Sequence, residues 1–179
     1  MKYLPLTFLG VLQYYASPNS SSIKGTFPTE DHPTKSAVVG MIASALGYER
    51  GAVASRELYD KLDVKYEIIK EGSIFTDFQT VKPLKSQDNY MNKHHTNKFT
   101  TVSGALITKQ GEQKYVNYLQ DAEFKVYIGA DEQTLEEIYN AIRNPVYALY
   151  FGKRCCVPNK PIVGNYELVE DLDHVFDCA

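Results

Sequence analysis

The sequence predicts an α+β domain in which strands and helices alternate against one sheet. Two stretches carry this reading, because each follows the order strand, helix, strand. One occupies the first seventy or so residues and the other runs from about 123 to 150. The third observation is bulk composition. At 179 residues, 44% apolar and 23% charged, the chain is long enough for one buried core and ordinary for a globular protein. No domain boundary, internal repeat or low-complexity tract interrupts it.

The first element is a strand over Tyr3–Leu9, where Leu4, Leu6 and Phe8 fall on one side. Pro5 cannot donate to a ladder, so this strand pairs on one side only or lies at an edge. A Ser-, Pro-, Asn- and Gly-rich loop follows from Gly10 to about Pro33. Thr34 then caps a helix whose Val38, Val39, Ile42 and Leu46 recur at helical spacing, and Gly47 stops it. Its small residues Ala37, Gly40, Ala43, Ser44 and Ala45 allow close approach to a sheet. A short helix over Ser55–Leu62 and a strand over Val64–Lys70 complete the first unit.

Ile74–Val81 reads as a further strand. Lys82–Gln113 is a long polar excursion, with part of a hairpin over Thr100–Thr108. The second unit starts with alternation over Glu123–Ile128. Asp131 caps a helix over Glu132–Arg143, striped by Leu135, Ile138, Tyr139 and Ile142, and Pro145 ends it. Val146–Tyr150 is the expected closing strand, paired in parallel through a right-handed crossover. Two such βαβ units on one sheet make a ferredoxin-like (RRM-like) fold, here a single domain over 1–179 with an inserted basic thumb at about 82–113.

Charge is segregated along the chain. The total is −3, yet 82–114 holds six lysines against Asp88 and Glu112, a net of +4. The remainder therefore sums to −7, and the segment at 163–179 supplies Glu167, Glu170, Asp171, Asp173 and Asp177 without a Lys or Arg. Phosphate contacts act over about 8–10 Å, so a local cationic segment outweighs the global sum. On charge alone, a solvated loop explains the segment equally well.

Catalytic signatures are absent from the sequence. There is no G-x-S-x-G elbow, no Gly-rich phosphate loop and no zinc-type spacing, so no cofactor or metal is expected. Asp77 and Asp121 read as turn or cap residues. The cysteines number three, and adjacent Cys155 and Cys156 do not easily bridge each other, which suggests a reducing cytoplasm. No apolar run or signal peptide points to a membrane.

Candidate nucleic-acid contacts lie in three places. Lys35 and Ser36 stand at a helix N-terminus, where free N–H groups suit phosphate. Lys153 and Arg154 follow Gly152. The excursion interleaves Lys82, Lys85, Lys93 and Lys98 with Tyr90, Met91, His94, His95 and Phe99, a pattern suited to stacked, unpaired bases. Each has a plain alternative: a solvated lysine, a charged turn, a polar loop.

Four segments, HPTKSAVVGMIASALGYER (32–50), DFQTV (77–81), YLQDAEFKVYIG (118–129) and IRNPVYALYFGKRCCVPNKPI (142–162), together resemble the CasD (Cas-five) family. These are subunits of Cascade, the type I CRISPR surveillance complex. The PTKS-to-LGY and P-x-Y-x-L-Y-x-G-K-R-x-C patterns are specific, and the likeness spans roughly residues 3–164. It implies a non-catalytic subunit that caps one end of the complex and holds the 5′ handle of the CRISPR RNA. Its partners would be the backbone subunit and the large subunit, with target DNA nearby. By position, Lys35, Ser36, Lys153 and Arg154 become handle contacts and the excursion becomes the thumb. Some family branches cleave repeat RNA themselves. On that alternative His94 or His95 with Lys98 would act, although the quoted segments look closer to the non-cleaving I-E branch. Many relatives continue with a further sheet segment, so this chain is either a compact member or the leading part of a longer one.

Overall fold

The computed structural model describes residues 1–16, 25–81, 99–100, 106–107, 112–170, 172 and 175–178. The main sheet is built from β1 (Lys2–Leu9), β4 (Asp63–Lys70), β9 (Glu123–Ala130) and β10 (Phe176–Asp177), in the order β1-β9-β4-β10. Every neighbouring pair is antiparallel. The registers Leu4↔Ile128, Leu6↔Val126 and Phe8↔Phe124 continue across β9 to Val64 and Tyr66, which places one apolar side of three strands in rows. On these rows lie α1 (Lys35–Leu46) and α3 (Glu132–Arg143), burying Val38, Val39, Met41, Ile42, Leu135, Ile138 and Ile142. A shorter α2 (Val53–Lys61) packs against α1 and buries only Leu58.

The cap residues expected from the sequence are in place. Thr34 accepts from the Ala37 N–H at 3.4 Å, and Asp131 accepts from the Thr134 N–H at 3.0 Å. The Lys61 ammonium, 2.8 Å from Asp131, leads in holding that carboxyl well below the usual carboxylate range. Gly47 ends α1 at φ 81, and the Tyr48 N–H returns to the Ala43 carbonyl. Thr34 is 3% exposed, so Thr34→Ala leaves the Ala37 N–H without its side-chain partner. It is expected to lower unfolding free energy by about 1 kcal/mol in urea titration, whereas an unchanged midpoint would remove the cap from the account.

The closing strand expected at Val146–Tyr150 does not form. That segment is irregular and mostly exposed, and its backbone turns to α1 instead: the N–H groups of Val146 and Tyr147 donate to the carbonyls of Ala45 and Ser44 at 3.0 and 3.3 Å. Orphan carbonyls at a helix end need donors, and Pro145 delivers the chain beside them. The slot alongside β1 is taken by later residues. Thr7 N–H donates to Ile162, and Tyr3 and Val169 exchange both of their backbone bonds. The parallel neighbour expected for β9 is therefore also absent, because β1 lies between β9 and this segment. The resulting order is compatible with a ferredoxin-like layout, with irregular chain in place of a fourth strand. Tyr3 and Thr7 donate away from β9, so Pro5 faces the same irregular edge, where its missing N–H leaves no gap in a ladder.

A second sheet is centred on β8 (Glu112–Gln120). Along one edge it pairs with β5 (Ser73–Val81) over the whole length of both strands. It also pairs with β2 (Leu12–Gln13) and β3 (Thr26–Phe27). The sequence reading missed β8, whose Lys, Asn and Gln dilute the alternation of Val116 and Tyr118, and it assigned Gln113 to the excursion. The pair Val81↔Glu112 closes the base of 82–111, and β6 (Phe99–Thr100) pairs with β7 (Leu106–Ile107) as a hairpin inside it. Asp121, at φ 56, makes the tight turn from β8 to β9, the turn role expected for it, whereas Asp77, expected as a turn or cap residue, lies inside β5 opposite Val116. Among the described residues, no helix is long and apolar enough to cross a membrane.

Candidate nucleic-acid interface

The outer face of α1, opposite its buried stripe, is built from small residues, and the chain after α3 passes in front of it. Between them lies a cleft of about 880 Å³. Ser36, Gly40 and Ser44 form its floor. Tyr48 and Arg50 come from the turn into α2, Tyr59 from α2 itself, and Tyr147, Tyr150 and Arg154 from the irregular segment. The absent strand thus becomes the cleft's second wall. Two exposed guanidinium groups outnumber the one carboxylate of the lining, Glu49, and with several phenol rings around a channel floored by small residues they suit a flexible polyanion with flat groups. Arginine donates in a fork to phosphate, and unpaired bases stack on aromatic faces.

Of the residues singled out from the sequence, Ser36 and Arg154 line this one cleft although 118 positions separate them. Lys35 sits at its edge, its ammonium 4.6 Å from the centre of the Tyr59 ring. Lys153 goes elsewhere. Its ammonium lies 4.0 Å over Tyr14 and 5.4 Å from the Tyr118 ring, and burial lowers its pKa. The adjacent cations diverge because Gly152, at φ 91, folds the chain tightly onto Tyr14. Lys82, Lys85, Tyr90, Met91, Lys93, His94, His95 and Lys98 lie outside the described residues. The sequence reading missed Arg50, Tyr48, Tyr59, Tyr147 and Tyr150. A signal existed for Arg50, an arginine between Gly47 and Gly51 directly after a helix stop.

No group of three or more His, Cys, Asp or Glu that could hold a metal ion occurs among the described residues. Elsewhere burial perturbs several acids: the Tyr127 phenol and the Cys156 and Cys178 thiols are each pushed up to about 12, from ordinary values of 10.0 and 9.0. A raised pKa favours the neutral, folded form, so this stabilisation is complete below the unfolded values and is lost as pH rises through the folded ones. Thermal stability is accordingly expected to hold to about pH 8 and fall steadily from about pH 9 to 12. A melting temperature independent of pH over that interval would contradict the burial assignments.

The family model described as CRISPR-associated protein (Cas5) matches residues 11–177. The CRISPR system Cascade subunit CasD of Escherichia coli (strain K12) is 26% identical over 169 residues, which cover 89% of this chain and 69% of that one. A solved chain from a CRISPR RNA-guided surveillance complex has a TM-score of 0.70 at 25% identity, covering 90% of this chain and 61% of that chain. A crystal structure of a Cas protein has a TM-score of 0.65 at 25% identity, covering 95% and 66%. This chain therefore spans 61–69% of the length of the proteins it matches. With nearly its whole length matched and the fold shared, the chain belongs to the Cas5 family of CRISPR-associated proteins.

Proposed function

We propose that this chain is a non-catalytic RNA-holding subunit of a CRISPR surveillance complex, and that it grips the 5′ handle of the CRISPR RNA. The observation that carries the reading is the convergence of Ser36, Arg50 and Arg154 on one tyrosine-walled cleft. The shape and chemistry suit single-stranded RNA held by backbone and by a few splayed bases. Such contacts fix position and register while base pairing elsewhere reads the target. The excursion at 82–111, rooted on β5 and β8, extends the grip as a thumb and contributes Lys82, Lys85, Lys93, Lys98 and the rings among them. Lys35 supplies positive potential at the edge of the cleft, whereas Lys153 stands over Tyr14 on the side of the second sheet that carries the excursion. The adjoining backbone subunit and the large subunit are its protein partners, with target DNA close to the assembly in the cytoplasm.

Co-expression with CRISPR RNA and a repeated backbone subunit tests this directly. The chain is expected to co-purify with both, and Lys35→Glu combined with Arg154→Glu is expected to weaken handle binding without unfolding the domain. Handle affinity and assembly that survive the double change would sink the assignment. Incubation with repeat RNA in the absence of metal is expected to leave the RNA intact. Cut products would replace this reading with the endoribonuclease alternative.

A further inference from the structure

The turn that brings Arg154 to the cleft also carries two neighbouring thiols with no part in gripping RNA. Cys155 is exposed, Cys156 is wholly buried, and their Sγ atoms lie 3.9 Å apart. The Cys155 Sγ is also 3.7 Å from the Tyr118 hydroxyl, and the Lys153 ammonium of the same turn lies over the Tyr118 ring. An accessible sulfur with a cation nearby and a second sulfur within reach is the setting in which thiols react with oxidants and are then resolved.

We propose that Cys155 and Cys156 form a reversible two-electron redox site, closed by peroxide to a vicinal disulfide, which controls the turn that holds Arg154. In the first step the Cys155 thiolate attacks one peroxide oxygen. The S–O bond forms, the O–O bond breaks, and hydroxide leaves and takes up a proton to become water. In the second, the Cys156 sulfur attacks the sulfenic sulfur of Cys155. The S–S bond forms, the S–O bond breaks, and the departing oxygen leaves as water with the Cys156 proton. Two thiols and one peroxide thus yield one disulfide and two waters. Exposure assigns first attack to Cys155, and the 3.9 Å approach of the buried neighbouring sulfur assigns resolution to Cys156.

Closure reaches Arg154 through the backbone. Adjacent Cα atoms stand about 3.8 Å apart, below the roughly 4.4–6.8 Å of ordinary disulfides, so joining the sulfurs distorts the peptide between them. The N–H of that peptide is the one that donates to Lys153 at 2.9 Å. The next bond of the turn, from the Phe151 N–H to the Cys156 carbonyl at 2.9 Å, is pulled with it. Lys153 and Arg154 sit inside the distorted loop. A bond strained in this way is easily reduced again, which suits a regulatory site and not a structural staple.

The coupling to RNA rests on the cleft reading, whereas the redox chemistry does not. The test is hydrogen peroxide on the reduced full chain, followed by intact mass and peptide mapping. Loss of the mass of two hydrogens is expected, within one peptide holding both cysteines, reversed by dithiothreitol and absent in the exposed-site variant Cys155→Ser. Affinity for a 5′-handle oligonucleotide is expected to fall about tenfold on oxidation of the wild type and to stay unchanged in Cys155→Ser. Oxygen addition at Cys155 alone, or disulfide-linked dimers, would overturn the site. A vicinal disulfide with undiminished affinity would overturn its control of Arg154. A reduced chain that binds no RNA fails the cleft reading, while the mass measurement still decides the redox site.

Discussion

Replacing Arg50 and Arg154 together by glutamate is expected to lower affinity for a 5′-handle RNA by about 100-fold or more at moderate salt. Both side chains are exposed and line the same cleft from opposite walls, one from the turn after α1 and one from the segment after α3. A charge-assisted bond to phosphate is worth about 1.5–3 kcal/mol, and reversal adds repulsion to the loss. Each phosphate contact also releases counterions from a single strand, so the salt slope of log K should fall by about 0.7 for each contact removed. Filter binding across a salt series reads both quantities, and circular dichroism checks that the fold survives. A double variant with wild-type affinity and an unchanged slope would show that RNA, if bound, lies elsewhere.

The second large effect comes from a residue with no side chain. Gly152→Ala is expected to destabilise the domain by about 2–4 kcal/mol and to weaken handle binding at the same time. Gly152 has φ 91, and a Cβ there would overlap the carbonyl oxygen of Tyr14. Tyr14 cannot withdraw cheaply, because its own N–H donates to the Phe151 carbonyl at 3.0 Å and its ring lies under the Lys153 ammonium. The added methyl must therefore push the whole turn away from the β2 end of the second sheet. Lys153 would leave its aromatic surroundings and Arg154 would leave the cleft. Urea denaturation measures the first effect and RNA titration the second. A wild-type midpoint would mean that the turn tolerates a side chain, contrary to the contact described.

How far the sequence could be read depended on how local each cause was. Thr34, Gly47 and Asp131 act within a turn of their own helices, so both long helices were legible to within a residue. The alternation in β1, β4 and β9 was legible too, because one face of each is buried against α1 and α3. The failure at Val146–Tyr150 is instructive. Its apolar run fits a buried strand, but no local cause decides whether such a run joins a sheet or caps a neighbouring helix. That choice was settled by the last-turn carbonyls of α1 at Ala45 and Ser44, a hundred positions away in sequence. The strand β8 was missed for a related reason: its pairing with β5 across 82–111 holds it together more than its own pattern does.

The residues of the cleft divide in the same way. Ser36 at a helix start and Arg154 after a glycine stood out individually, and family-like patterns around both gave them a shared purpose. Composition, periodicity and those patterns determined the α+β class and the family. Only the tertiary structure joined Ser36, Arg50 and Arg154 across one channel, turned Lys153 away from Arg154, and set the two thiols that follow them 3.9 Å apart. The physical reason is that caps and stripes act over a few residues, whereas a cleft is made by which distant segment fills each vacant hydrogen-bonding edge.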